Sequence, residues 1–285
     1  MTAKALLYAV GGGWGHAKRA FVLAESLETL GYGITIVLSP NLKDFFSPKI
    51  KNKTLLFERW NSLNLKFSDY QLVIVDTFPR GTQQEIQLSD LLKIEKRILI
   101  TRINTETQWE KQAAVFSDYW SPYPDEYKEW THAFSDKEKS LGWVVGPSFS
   151  FEKGKALLIV DPRQLLPSFL RKRFAHLCKR SNLDCEIEEN LIPEKKYSAK
   201  KILWVGAGYN SIYEHVGGAA DIKFIPLKRR FDNQFSRAKK WNCDFDPQFF
   251  VDWISRESVE EVSLKKDVFH EKNFFCTSRL EAYQC

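Results

Sequence analysis

An unbroken apolar run, residues 5–10 (ALLYAV), leads straight into Gly11-Gly12-Gly13. A run of that length, bounded by glycine, reads as a strand buried on both faces, as in a parallel sheet. Residues 17–30 then carry Phe21, Leu23, Ala24, Leu27 and Leu30 at helical spacing, and Gly31 supplies the stop. Residues 33–38 (GITIVL) form the next strand. Strand, glycine loop, helix, strand is the start of a βαβ unit.

The pattern continues with strands at 71–76 and 97–101, helical stretches around 82–94 and 104–114, and a closing strand at 142–147. It weakens at 148–155 and restarts. Residues 156–162 are a second buried strand, 167–180 an amphipathic helix, and 183–188 and 201–206 further strands. A helix follows from about Ser211, then a strand at 221–227 and a helix from Asp232 to Trp241. No sequence repeat relates the halves, yet both alternate strand and helix. The expected architecture is α/β, with two Rossmann-like parallel-sheet domains facing across a cleft and the second one abbreviated. The expected boundaries are 1–147 and 148–285. Such proteins bind ligands at the carboxyl ends of their strands.

Composition narrows the class. Of 285 residues, 44% are hydrophobic and 14% aromatic, enough apolar material to exclude a disordered chain. The apolar runs are far shorter than the roughly 20 residues a membrane-spanning helix needs. The N-terminus shows no secretory cleavage site. Five cysteines (Cys178, Cys185, Cys243, Cys276 and Cys285) are widely spaced without a CxxC, so reduced thiols in a cytoplasmic protein are expected. The net charge of +6 is too modest to imply nucleic acid, and it suits an anionic substrate or an anionic membrane surface.

Four segments carry chemistry. Gly11 to Arg19 (GGGWGHAKR) joins the first strand to the first helix. It is neither the dinucleotide fingerprint, whose third glycine is replaced by His16, nor a P-loop, since no GK[ST] follows. It presents His16 at a helix N-terminus, where the dipole disfavours imidazolium and leaves a ring able to take a proton. A His that merely packs the first turn is the competing reading. Asp76 ends a buried strand in VIVDTFPRG, with Glu85 four residues beyond. It can pair with His16 as orienter, or serve as a turn aspartate ahead of Pro79.

In VGAGYNSIYE, Gly206-Ala207-Gly208 ends a strand and Tyr209-Asn210-Ser211 opens a helix, a setting that suits a phosphate. Glu214, one turn in, can accept two hydrogen bonds from a ribose diol or simply complement the helix dipole. In IPLKRRFDNQFSRA, Asp232 and Gln234 can meet sugar hydroxyls, with an N-cap as the alternative for Asp232. Arg229, Arg230 and Arg237 suit a diphosphate or a solvated basic face. Asp244-Phe245-Asp246 matches a DxD metal pattern, but so short a match arises often by chance, and no metal is expected.

Together these motifs resemble the GT-B nucleotide-sugar glycosyltransferases, family 28-type. The resemblance rests on GxGHxxR (Gly13 to Arg19) in the first half, and on YNSxxE, IP and FDxQxxRA in the second. DTFPxG with Glu85 is similar to predicted glycosyltransferases of the same superfamily. The resemblance implies a metal-independent, inverting transfer from a nucleotide-sugar, a UDP-sugar first, to an unknown acceptor. His16 and Asp76 would be catalytic. Gly13, Gly15, Gly208, Asn210 and Ser211 would lie along the donor phosphates, Glu214 on the ribose, and Asp232 and Gln234 on the sugar. No cofactor is expected beyond the co-substrate.

Two other readings compete: a nucleotide-sugar hydrolase in which His16 activates water, and a non-catalytic sugar-nucleotide-binding subunit. Lys43, Lys49, Lys51 and Lys53, among Phe45, Phe46, Leu55, Leu56 and Phe57, would suit peripheral contact at the inner membrane face. A loop and strand is the simpler reading of that stretch, which lacks a helical period.

Overall fold

The computed structural model describes residues 2–11, 14–45, 49–50, 53–101, 111–122, 134–141, 144, 149–150, 152–160, 168–188, 197–208, 221–227 and 234–240. The chain divides into two units between Val145 and Gly146.

The first unit opens with β1 (Lys4–Ala9), α1 (Trp14–Thr29) and β2 (Gly33–Leu38). Next come β3 (Lys49–Ile50), β4 (Lys53–Leu56), β5 (Leu72–Asp76), α2 (Leu88–Leu91), β6 (Lys96–Ile100), β7 (Asp118–Ser121) and β8 (Glu138–Ser140). The sheet order is β3-β4-β2-β1-β5-β6-β7-β8. All pairings are parallel except β3 with β4. The chain reverses direction across the sheet between β1 and β5, which brings the start of α1 and the loop after β5 together at the carboxyl ends of these strands.

Strand alternation sorts the core. Ala5, Leu7 and Ala9 of β1, with Leu72 and Ile74 of β5, pack against Ala17, Ala20, Leu23, Ala24 and Leu27 of α1. Leu6, Tyr8, Val73 and Val75 face the other layer, with Trp60, Ile86, Leu91 and Ile94. Both faces are covered, which is why these strands read as continuous apolar runs. Helix α1 ends where the sequence predicts. Gly31 adopts φ 84°, Gly31 N donates to Glu28 O at 2.9 Å, and Tyr32 N donates to Leu27 O at 3.1 Å. This is a Schellman cap, and its left-handed position favours glycine.

The second unit contains β9 (Phe149–Ser150), β10 (Lys155–Val160), α3 (Ser168–Arg180), β11 (Asp184–Glu188), β12 (Tyr197–Ser198), β13 (Lys201–Val205), β14 (Asp221–Ile225) and α4 (Gln234–Lys240). Its main sheet runs β11-β10-β13-β14, all parallel, and β9 pairs with β12. Ala156, Leu158, Val160, Leu203 and Val205 pack against Phe174, Leu177 and Cys178 of α3. Here too the order reverses beside the first strand of the main sheet, between β10 and β13.

Several expectations change. The period over 82–94 predicts a helix, but the chain makes turns through 79–84, and only Leu88–Leu91 is helical. Gly81 and Gln84 both adopt positive φ, 78° and 59°, which no helix accommodates. Strands β3, β4, β7 and β8 extend the sheet beyond the strands read from sequence. In β4, Leu55 is buried in the core and Lys53 is buried in an ion pair with Glu28. These two residues of the basic and apolar stretch therefore face inward. The closing strand at 142–147 lies outside the described residues except for Val144. No described helix is long and apolar enough to cross a membrane.

Candidate active site

Asp76 is the last residue of β5. Continuing the alternation of Leu72 and Ile74, it points to the α1 side of the sheet. On α1, His16 and Arg19 lie three apart and continue the buried stripe of Ala20, Leu23 and Leu27. The strand reversal between β1 and β5 thus receives a carboxylate from one strand end and an imidazole and a guanidinium from the facing helix.

The geometry is tight. His16 Nδ1 lies 3.0 Å from Asp76 Oδ2, and Arg19 Nη2 donates to the same oxygen at 2.8 Å. Thr77 Oγ1 donates to the other oxygen, Oδ1, at 2.8 Å. Arg19 is 2% exposed, Asp76 7% and His16 8%. Burial alone would push the Asp76 carboxyl up, but the Arg19 guanidinium, followed by the His16 contact and the hydrogen bonds of both, outweighs it and holds it well below the usual carboxylate range. An ionised Asp76 only accepts hydrogen bonds, so His16 carries a hydrogen on Nδ1. With Nδ1 so engaged, a neutral ring has its lone pair on Nε2, the atom that can take a proton.

The loops around this group are shaped to it. A Cβ at Gly11 would meet the His16 ring at 2.2–2.4 Å, so glycine is required for the imidazole to lie over the backbone. Ser39 Oγ fastens that loop, accepting from Gly11 N at 3.2 Å and donating to Gly11 O at 2.7 Å. Phe78 stacks beside His16, with ring centroids 6.1 Å apart. Thr77 adopts φ 77°, a left-handed conformation that is rare for a β-branched residue and strained by about 1–3 kcal/mol. Thr77 N donates to Ile100 O at 3.0 Å, which holds the turn.

Glu85 anchors the far side of this loop. Its carboxylate accepts from Tyr8 Oη at 2.8 Å and from Gln83 N at 2.7 Å, with Arg59 Nη1 at 3.8 Å. A Cβ at Gly81 would strike that carboxylate at 2.4–2.5 Å. Burial, and then the neighbouring Glu85 charge, push the Tyr8 phenol well above its ordinary value, so Tyr8 stays a donor. Glu85 therefore shapes the loop behind Asp76 and stands outside the His16–Asp76 contact.

In the second unit, Gly206-Ala207-Gly208 follows β13 at the corresponding reversal of strand order. Gly206 adopts φ 116°, a glycine conformation. Gln234, the first residue of α4, is buried, and its Oε1 accepts from Ala207 N at 2.9 Å and from Leu227 N at 2.9 Å. Arg237, one turn on, donates to Ala207 O at 2.8 Å. The ends of β13 and β14 are thereby clasped to one helix, and Gly208 beside them is partly exposed.

The structure thus brings His16 and Asp76 together, with Gly15 in the first turn of α1 beside them, and brings Gln234 up to the Gly208 loop. Gly13, Asn210, Ser211, Glu214 and Asp232 lie outside the described residues, as do Arg229, Arg230 and the DxD triplet. The parts in Arg19, Thr77 and Ser39 do not emerge from the sequence reading. Only the spacing of Arg19 from His16 hints at its place.

Solved structures share this fold. The glycotransferase of kitacinnamycin is similar at a TM-score of 0.57 and 9% identity, covering 90% of this chain and 92% of its own. Arabidopsis thaliana UGT89C1 in complex with UDP-L-rhamnose is similar at 0.56 and 10% identity, covering 90% of each chain. Phytolacca americana UGT2, in complex with UDP-2fluoro-glucose and pterostilbene, is similar at 0.54 and 9% identity, covering 85% of this chain and 84% of its own. The fold is therefore that of the GT-B glycosyltransferases, two parallel-sheet α/β units in one chain. No protein-family model matches the sequence, and no curated protein matches it.

Proposed function

We propose that this chain is a glycosyltransferase that moves a sugar from a nucleotide-sugar, a UDP-sugar in the first instance, to an acceptor hydroxyl. The observation that carries the reading is the His16–Asp76 contact of 3.0 Å at the strand reversal of a GT-B unit. The described neighbours UGT89C1 and UGT2 hold UDP-sugar ligands in their own structures, which supports a donor of this kind here.

The chemistry follows from the atoms. His16 Nε2 takes the proton of the acceptor hydroxyl as its oxygen attacks the anomeric carbon of the donor. The bond from that carbon to the diphosphate oxygen breaks, and its electron pair leaves with the nucleoside diphosphate. A single displacement inverts the anomeric centre. Asp76 stabilises the imidazolium that forms without taking its proton. The leaving diphosphate is proposed to rest on backbone N–H groups of the Gly13-Gly15 loop and of Gly208, Asn210 and Ser211, with no metal. Glu214 is assigned the ribose. Asp232 and Gln234 are assigned the donor sugar. Since the Gln234 carbonyl oxygen already serves two loops, its sugar contact would run through the amide nitrogen.

A cytoplasmic setting goes with this reading, and Cys178 and Cys185 are free thiols. The test is calorimetric titration with UDP, with GDP and CMP as controls and Glu214→Ala beside the native protein. UDP binding that the variant loses is expected. An absence of binding to any nucleotide would overturn the reading. Release of free sugar from the UDP-sugar without any acceptor would convert it to the hydrolase.

A further inference from the structure

Asp76 is buried and charged, and a neutral imidazole is no counter-ion for it. A carboxylate in that position with only His16 beside it would take up a proton or draw one onto the ring. Either event disturbs the arrangement, because a protonated carboxyl can donate to Nδ1 and turn the ring's lone pair away from Nε2. Arg19 meets this need. It is 2% exposed, sits one helical turn after His16, and donates at 2.8 Å to the very oxygen that faces His16 Nδ1. Thr77 Oγ1 holds the second oxygen, so the carboxylate is fixed from both sides. The Arg19–His16 approach of 3.4 Å is no hydrogen bond in this state, since both facing atoms carry hydrogen.

The structure assigns Arg19 the part of a positioning residue: it holds Asp76 against His16 so that the ring keeps its hydrogen on Nδ1 and offers Nε2 to the reacting hydroxyl. The consequence for the reaction rests on the transferase reading above; the arrangement itself does not. Free neutral histidine prefers its hydrogen on Nε2, so the assigned tautomer is the less common one and has a distinct signature.

The test reads that signature by nitrogen NMR on selectively labelled histidine at about pH 8, where an ordinary imidazole is neutral. His16 in the native protein should carry its hydrogen on Nδ1. Arg19→Lys, which keeps the charge, should retain that signal. Arg19→Gln and Arg19→Met should lose it to a mixed or Nε2–H state while the rest of the histidine spectrum stays in place. If Arg19→Met does not fold, the Lys and Gln variants decide. Native His16 with its hydrogen on Nε2, or an Arg19→Gln protein that keeps the Nδ1–H signal, would overturn the assignment. In a donor-turnover assay, Arg19→Gln should lower kcat by about 10²-fold and leave the donor KM within about twofold. A native protein with no turnover, but with the expected NMR pattern, removes the transferase reading and leaves the part played by Arg19 standing.

Discussion

The two units solve the same local problem with different materials. The main sheet of each begins with a buried strand, a helix and a second parallel strand, and each helix ends in a Schellman cap. In the first unit the cap is Gly31 at φ 84°; in the second it is Asn182 at φ 49°, with Leu183 N donating to Cys178 O at 2.9 Å. Glycine and asparagine are the two residues that reach this conformation most readily, for different reasons. At the strand reversal, however, the units diverge. The first places ionisable side chains there: His16, Asp76 and Arg19. The second places backbone there, with Gly206 to Gly208 clasped by Gln234 and Arg237. Side chains that exchange protons suit bond making. A braced glycine loop that ends at the partly exposed Gly208 suits recognition of an anion. On the proposed function, reaction falls to the first unit and donor recognition to the second.

That contrast can be broken at several points. The largest effect is expected at His16. His16→Ala should lower turnover of a UDP-sugar by about 10²–10⁴-fold, as for other general bases, and leave UDP affinity nearly unchanged in calorimetry. Gly11→Ala should approach the same loss of turnover, because its Cβ overlaps the ring at 2.2 Å.

Stability separates the units further. Arg19→Met strands a buried carboxylate and should cost about 3–5 kcal/mol in denaturant unfolding. At Gln234 the expectation depends on the substitution. Gln234→Leu leaves two backbone N–H groups unpaired, at about 1–3 kcal/mol each, whereas Gln234→Glu keeps an acceptor oxygen and should cost less. A Glu variant as damaging as the Leu variant would show that the clasp rests on the amide nitrogen.

Two smaller effects follow from titration. The folded-state Asp76 carboxyl is depressed, so its contribution is full above the ordinary carboxylate value of about 4 and fades as pH falls below it. Asp76→Asn should flatten that acid limb of the stability curve. In the second unit, burial pushes the Cys178 thiol up to about 12, with Cys185 adding to the shift. The folded protein then holds this proton where the unfolded chain releases it. Stability should decline from about pH 9 upward, and Cys178→Ala should lessen the decline in an alkaline unfolding series.

Much of the frame is legible in the chain, and the reasons are local. Buried parallel strands announce themselves as apolar runs, and Gly31 ends α1 where the period stops. Asp76 stands out because a carboxylate closes an otherwise apolar strand. What escapes the sequence depends on distant partners. Arg19 finds Asp76 across 57 residues, and Glu85 finds Tyr8 across 77. The second contact turns the chain at 79–84 away from the helix its apolar period suggests. Short strands such as β4 and β8 carry too few residues to show a period, and Gln234 acts through backbone groups that no motif records.

The central claim is that His16 does the chemistry while the second unit holds the donor. The most direct test is UDP release from a panel of UDP-sugars by native protein and His16→Ala, with UDP affinity measured on both. Native protein that binds UDP and releases it from a UDP-sugar, and a variant that binds equally but turns over at least about 10²-fold more slowly, is the predicted result. Native protein that binds no UDP, or a His16→Ala variant that turns over at the native rate, would contradict it.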